Sequence, residues 1–298
     1  MIVGEPRPTP QPLSARRTLP VRLGVIDYLN VRPVYEWILR QADTGGGLPS
    51  VATVSGVPAQ MNAALQSGLV DISNVSSYAY GANCREWLLM PRLSVAAHGR
   101  VDSVLLFTWH REWRALDGAS IALSDQSATS SALVRALCTH RYHVDPRFAV
   151  VRSDLDAMLA AHDAALLIGD RALMERHAQR SVAGRGRPHV IDLAAEWATW
   201  TGLPFVFAVW AGRADRASAL EESGVLDLLP ASKAWGLAHL DQIAAVRAPQ
   251  LGLSQQQCAA YLRLLDYDLS PQDLTGLRTF LEMTIPDFSW AKVQLLGR

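Results

Sequence analysis

At 298 residues the chain exceeds one typical small core and suits two lobes that each bury an apolar face. Hydrophobic residues make up 49% and charged residues 19%, which excludes a largely disordered chain. Lys plus Arg equals Asp plus Glu at 28 each, so no global field draws the protein onto nucleic acid, and an anion site must be built from local donors.

In chain order, the stretch through Pro20 carries Pro6, Pro8, Pro10, Pro12 and Arg16-Arg17 but no apolar run of signal-peptide length. It is expected as a disordered leader, residues 1–20. The β-branched run Val21 to Ile26 predicts a strand, and Pro33 to Arg40 a helix with Pro in its first turn, where the missing N–H costs nothing. Gly45-Gly46-Gly47 predicts a loop. A strand follows over Ser50 to Ser55, a helix over Val57 to Ser67 closed by Gly68, and a strand over Val70 to Val75. This β-α-β-α-β order is that of a parallel sheet flanked by helices.

A second series begins after Arg114, with strands over Ser120 to Leu123, Phe148 to Arg152 and Ala164 to Ile168, and helices over Ser131 to His140 and Asp154 to His162. The apolar runs Ser103 to Trp109 and Pro204 to Trp210 flank this series. They predict two crossovers and a cleft between lobes: residues 21–105 plus 211–298 as the first lobe, residues 106–210 as the second. Beyond Gly212 the pattern is helical, over Ala214 to Ser223, Leu237 to Val246, Ser254 to Tyr267 and Pro271 to Thr284, with Gly236 left outside as a poor helix former. No segment approaches the roughly 20 apolar residues of a membrane-spanning helix, and Leu88 to Ala97 is interrupted by Pro91 and Arg92. Cys84, Cys138 and Cys258 have no CxxC spacing and read as buried or partly buried thiols of a reducing cytoplasm.

Polar residues gather where strands end, the place at which open parallel sheets bind ligands. Asn30 follows the first strand; Asn74, Ser76 and Ser77 follow the third; Ser127, Thr129 and Ser130 precede a helix. A helix N-terminus at Ser127 to Ser131 can hold a carboxylate through unpaired N–H groups, and ordinary N-capping explains the same residues. Asp170 and Asp192 each end an apolar run and read either as site carboxylates or as caps. HExxH, GxGxxG, Walker A and GxSxG patterns are all absent, so no metal or cofactor is expected in the site.

Five segments occur in a telling order: Ile26-Asp27-Tyr28-Leu29-Asn30-Val31-Arg32-Pro33, Gly68 to Tyr78, Gly99-Arg100-Val101-Asp102-Ser103-Val104, Ile168-Gly169-Asp170-Arg171-Ala172-Leu173 and Thr201 to Ala208. Together they resemble the chorismate dehydratase family of the futalosine route to menaquinone, from about Val21 nearly to the C-terminus. The resemblance implies an α/β, type II periplasmic-binding-protein-like fold working as a cytoplasmic enzyme. It implies conversion of chorismate to 3-[(1-carboxyvinyl)oxy]benzoate and water. Asn30 and Ser103 would orient the substrate around the departing hydroxyl and the ether; Ser76, Ser77, Ser127, Thr129 and Ser130 would bind carboxylates. The proton acceptor is then the substrate's own enolpyruvyl carboxylate or Asp170. Arg32 and Arg100 sit inside matched segments at variable places and are not counted in the site. The only partner expected is the small-molecule substrate, without nucleic acid or membrane, and no oligomeric state follows from the sequence. Two other readings stand beside this one. The first is a non-catalytic carboxylate-binding protein of the same fold. The second is the sister enzyme acting on cyclic dehypoxanthine futalosine, whose family opens with a Ser-Pro-Cys-Pro-Asn-Asp-type segment where this chain has Tyr28-Leu29-Asn30.

Overall fold

The structure, a computed structural model, describes residues 20–43 and 51–297. The expected leader up to residue 19 and the Gly45-Gly46-Gly47 loop lie outside the described residues. The first sheet takes β1 (Val21–Ile26), α1 (Arg32–Asp43), β2 (Val51–Gly56), α2 (Pro58–Ser67), β3 (Ile72–Ser76), α3 (Ser77–Ala82) and β4 (Trp87–Ala97). The chain then crosses to β5 (Val104–Thr108), β6 (Ser120–Ser124), α4 (Ala128–Ala136), β7 (Arg147–Val151), α5 (Leu155–Ala161), β8 (Ala164–Ile168), α6 (Gly169–Ala178), β9 (His189–Asp192) and α7 (Leu193–Thr201). It returns through β10 (Phe205–Arg213) and ends in α8 (Ala217–Glu222), α9 (Val225–Ala238), α10 (Leu240–Leu251), α11 (Gln255–Leu262), β11 (Leu265–Asp266) and α12 (Pro271–Thr284).

The sheet orders are β11-β4-β10-β3-β1-β2 and β7-β6-β8-β5-β9. β1 pairs in parallel with β2 and β3, and β6 with β7 and β8, whereas the strands that carry the crossovers pair antiparallel. The lobe boundaries expected at 105/106 and 210/211 need correction, because both cut through strands. All of β5 belongs to the second sheet and all of β10 to the first, so the chain changes lobes before Val104 and again before Phe205.

The second sheet reads as continuous apolar runs because both of its faces are covered. Along β5 and β8, Leu106, Ala164 and Leu166 face one apolar cluster, while Leu105, Phe107, Ala165 and Leu167 face another beneath α5 and α6. The first sheet contains a strand that the sequence conceals. β4 runs through Pro91 because the register against β10 jumps from Ser94 opposite Val209 to Leu89 opposite Ala211. Residues 90–93 bulge there, with Arg92 at φ 58°, and a bulge is where a strand tolerates proline.

Gly236 lies inside α9 rather than before the next helix. A Cβ there would sit 1.8 Å from the Pro33 carbonyl oxygen, so the glycine is what lets α9 approach α1 at backbone distance. Helix propensity alone would favour Gly236→Ala by about 1 kcal/mol. Overpacking against a backbone that cannot swing aside outweighs that, and urea unfolding is expected to show a net loss of about 1–3 kcal/mol. A stabilised variant would remove this account of the α1–α9 contact.

Acid sensitivity is built in at the start of β3. The Asp71 carboxylate is fully buried and accepts from Arg22 N (2.8 Å), Nε (3.1 Å) and Nη2 (2.8 Å), with Arg216 Nε 3.2 Å away. Burial alone would push it up, but Arg22 outweighs burial and holds it below the usual carboxylate range. A folded-state value below the unfolded one of about 4 gives stability that is present above that pH and lost as pH falls through the folded value. The urea midpoint is therefore expected to drop on acidification below about pH 4, and less steeply in Asp71→Asn. Parallel curves for the two proteins would contradict this.

Candidate active site

The two sheets present their strand ends to a cleft between the lobes. From the first lobe, the 3-10 turn after β1 brings Tyr28 and Asn30, the β3–α3 junction brings Asn74 and Ser76, and β10 brings Phe207 and Ala208. From the second, the crossover brings Ser103, the β6–α4 turn brings Gln126, Ser127, Thr129 and Ser130, and the β8–α6 turn brings Ile168 and Gly169. Among the described lining residues there is no Asp, Glu, His, Lys or Arg. The wall is neutral.

Its hydroxyls share one arrangement. Ser103 Oγ accepts from the buried Tyr261 hydroxyl at 2.8 Å, and Thr129 Oγ1 accepts from Tyr78 N at 3.0 Å. Ser76 Oγ accepts from Asn62 Nδ2 at 3.2 Å and from Ala79 N at 3.3 Å as it caps α3. Ser130 Oγ accepts from Ser127 Oγ at 2.8 Å, while Ser127 caps α4 by accepting from Ser130 N. A hydroxyl that accepts from the protein keeps its own proton to give. Ser76, Ser103, Thr129 and Ser130 are thus oriented as donors, and Ser127 orients Ser130. Beside them Asn30 Oδ1 and Asn74 Nδ2 are buried with no hydrogen-bond partner among the described residues. Buried polar atoms are normally satisfied, so two orphans on one cleft wall mark a place for polar ligand atoms.

Cross-cleft contacts hold the lobes together. The Tyr28 hydroxyl donates to Gln126 Oε1, Tyr78 N reaches Thr129, and Leu29 N donates to Asp170 Oδ1 at 3.0 Å. Burial foremost, with the Asp170 charge, pushes the Tyr28 phenol up to about 12, so it stays a donor at neutral pH. Gly169 closes the set. At φ +61° it donates its N–H to the Ser103 carbonyl at 2.8 Å, and a Cβ there would strike the Tyr28 ring at 2.8 Å.

Asn30, Ser76, Ser103, Ser127, Thr129 and Ser130 line this wall. Ser77 and Asp170 do not. Ser77, the first residue of α3, donates to the Val206 carbonyl at 2.7 Å and ties α3 to β10. Asp170 lies in the first turn of α6, beneath the wall, with one oxygen on Leu29 N and the other 3.8 Å from Arg247. Burial raises its pKa, against the Leu29 N–H and the Arg247 charge. Asp192 resolves as a cap: Oδ1 accepts from Ala194 and Ala195 at the start of α7, and Oδ2 from Val101 and Asp102 in the crossover. Arg32 pairs with Asp27 and Glu36, and Arg100 stands 3.9 Å from Asp102, both off the wall. Tyr28, Gln126, Gly169 and Tyr261 were not singled out from the sequence. Tyr28 and Gly169 lie within the quoted segments and Gln126 directly precedes Ser127, whereas nothing in the spacing of α11 marks Tyr261.

A neutral, donor-lined cleft between two lobes of this topology defines a type II periplasmic-binding-protein-like fold. Solved structures agree: a protein of Archaeoglobus fulgidus superposes with a TM-score of 0.67 at 17% identity, over 90% of this chain and 97% of that one. The periplasmic aliphatic sulphonate binding protein of Escherichia coli gives 0.63 at 16%, over 94% and 98%. A family model described as menaquinone biosynthesis matches residues 21–285. The chain belongs to that family. It is 35% identical over 273 residues to the chorismate dehydratase of Thermus thermophilus, covering 88% of this chain and 94% of that protein. It is 28% identical over 185 residues to the chorismate dehydratase of Campylobacter jejuni, covering 62% and 64%.

Proposed function

We propose that the protein is a hydro-lyase that dehydrates chorismate to 3-[(1-carboxyvinyl)oxy]benzoate in menaquinone biosynthesis. The observation that carries the reading is the neutral donor wall, in a chain that matches the family from β1 to the end of α12. In the reaction the carbon bearing the ether loses a proton and its neighbour loses hydroxide, giving one water and an aromatic ring with the enolpyruvyl ether intact. The ring carboxylate is conjugated to the carbon that loses the proton, so negative charge spreads into it as the C–H bond breaks. Fixed donors at that carboxylate then stabilise the transition state more than the ground state. Ser76, Thr129 and Ser130, with the start of α4, are suited to the carboxylates. Asn30, Asn74 and Ser103 are suited to the hydroxyl and ether.

With no carboxylate or imidazole among the described residues of the wall, the enolpyruvyl carboxylate of the substrate serves as the base, and the departing hydroxide takes up the proton as water. Asp170 holds the closed lobes through Leu29 rather than moving the proton. Asp170→Asn keeps an acceptor for Leu29 N, and kcat is expected to stay within about threefold of the parent, far from the 10²–10⁴-fold typical of a lost general base. Loss of turnover in Asp170→Asn with chorismate still bound would make Asp170 the base. On this reading the protein works in the cytoplasm on a small-molecule substrate, apart from nucleic acid and membrane. The test is incubation of the pure protein with chorismate and, separately, with cyclic dehypoxanthine futalosine. Benzoate formation from chorismate alone is expected; binding without conversion, or turnover of the second compound, overturns the assignment.

A further inference from the structure

Away from the catalytic wall, where β4, β11 and α12 meet, three side chains carry chemistry that the dehydration does not use. His98 follows the last residue of β4, Asp266 ends β11 opposite Ala96, and Asp273 lies in the first turn of α12. His98 Nε2 is 3.0 Å from Asp266 Oδ2 and 3.2 Å from Asp273 Oδ1, and the three ligand atoms lie within 4.8 Å of one another.

Each carboxylate is anchored by its other oxygen. Asp268 N donates to Asp266 Oδ1 at 2.8 Å, and Ser270 donates to Asp273 Oδ2 from N at 2.9 Å and from Oγ at 2.6 Å. One oxygen of each is left facing His98. The imidazole Nε2 carries at most one hydrogen, which cannot serve two carboxylates. Asp273 is 0% exposed, and no hydrogen-bond donor reaches its Oδ1 among the described residues. No Arg or Lys among the described residues pairs with either carboxylate. Leaving a buried anionic oxygen uncompensated is costly, and a cation at the meeting point removes that cost.

We infer that His98, Asp266 and Asp273 form a binding site for a divalent transition-metal ion of the Zn²⁺ class, coordinated by Nε2 and one oxygen from each carboxylate. Separations of 3.0 and 3.2 Å are the ligand–ligand edges expected around an ion with bonds of about 2.0–2.2 Å. One nitrogen and two oxygens suit such an ion better than Ca²⁺, which takes about six to eight oxygens. The His98 side chain is 43% exposed, which leaves room for water to complete the shell. The anchored outer oxygens are the orienting contacts that metal-bound carboxylates commonly have. The ion would tie β4, at its exit toward the crossover, to β11 and α12.

Calorimetric titration of ZnCl2 into the full chain, stripped with chelator, tests this. One Zn²⁺ per chain is expected, with a higher Tm in its presence and no comparable binding of CaCl2. His98→Gln and Asp266→Asn, both at partly exposed positions, should each weaken Zn²⁺ binding by about tenfold or more while leaving the metal-free Tm and chorismate turnover unchanged. A flat titration, or undiminished affinity in both variants, would overturn the inference. Neither result bears on the dehydratase reading, which is tested without metal.

Discussion

Asn30→Ala is expected to lower kcat by about 10²–10³-fold, the loss that follows removal of one preorganised polar group from a transition-state site. The position combines two properties. It sits in the 3-10 turn Leu29–Val31 immediately after β1, whose register is fixed by β2 on one side and β3 on the other. Its Oδ1 is buried without a hydrogen-bond partner among the described residues, so it lacks the hydrogen bond that a folding role would require. The same fact separates activity from stability. Truncating an amide whose oxygen is unsatisfied removes a desolvation cost instead of a bond, so the Tm should hold or rise. Steady-state assay of benzoate formation with a parallel thermal melt checks both halves. An unchanged kcat would remove Asn30 from the chemistry, and a collapse in Tm would make it structural.

Gly169→Ala is expected to lower kcat/KM by about 10²-fold, the effect of shifting a positioned group by about an ångström. It should also lose about 1–2 kcal/mol of stability, the cost of a left-handed backbone in a residue with a Cβ. The methyl group would meet Tyr28 Cε2 at 2.8 Å and Cδ2 at 2.9 Å. The ring must move, and with it the hydroxyl that bridges the cleft to Gln126. Ser103 is disturbed from the same point, since Gly169 N donates to its carbonyl. Activity and stability thus fall together here, in contrast to Asn30→Ala. Unchanged kcat/KM would show that the Tyr28 seat has no part in the site.

The two-lobed α/β layout was legible in the sequence because strands covered on both faces read as unbroken apolar runs. Val21–Ile26 and Ala164–Ile168 are strands at their expected bounds, and Pro271–Thr284 a helix. The failures have local causes. β4 was hidden by Pro91, which only a bulge against β10 accommodates, and a bulge depends on a strand more than a hundred residues away in sequence. α9 was hidden by Gly236, which a helix tolerates here because α1 needs the close approach. The lobe boundaries slipped because a continuous apolar run does not show which sheet it joins. In the site, positions at strand ends were readable for Asn30, Thr129 and Ser130, whereas Ser103 entered through the resemblance alone. Side-chain direction was not readable: Ser76 and Ser77 are adjacent, yet one lines the cleft and the other bonds to Val206. At Gly169-Asp170 the charged residue drew the assignment, whereas the glycine touches the cleft.

The central claim is that an uncharged wall performs the dehydration and that the substrate supplies its own base. The pH dependence of kcat tests it most directly, measured with saturating chorismate from about pH 6 to about pH 9, the interval in which an enzyme base poised for catalysis titrates. A flat profile is expected, since the described residues of the wall include no carboxylate or imidazole and the Tyr28 phenol, pushed up to about 12, stays protonated throughout. A limb with a slope of one proton inside that interval would place a titrating protein group in the rate-limiting step and contradict the neutral wall.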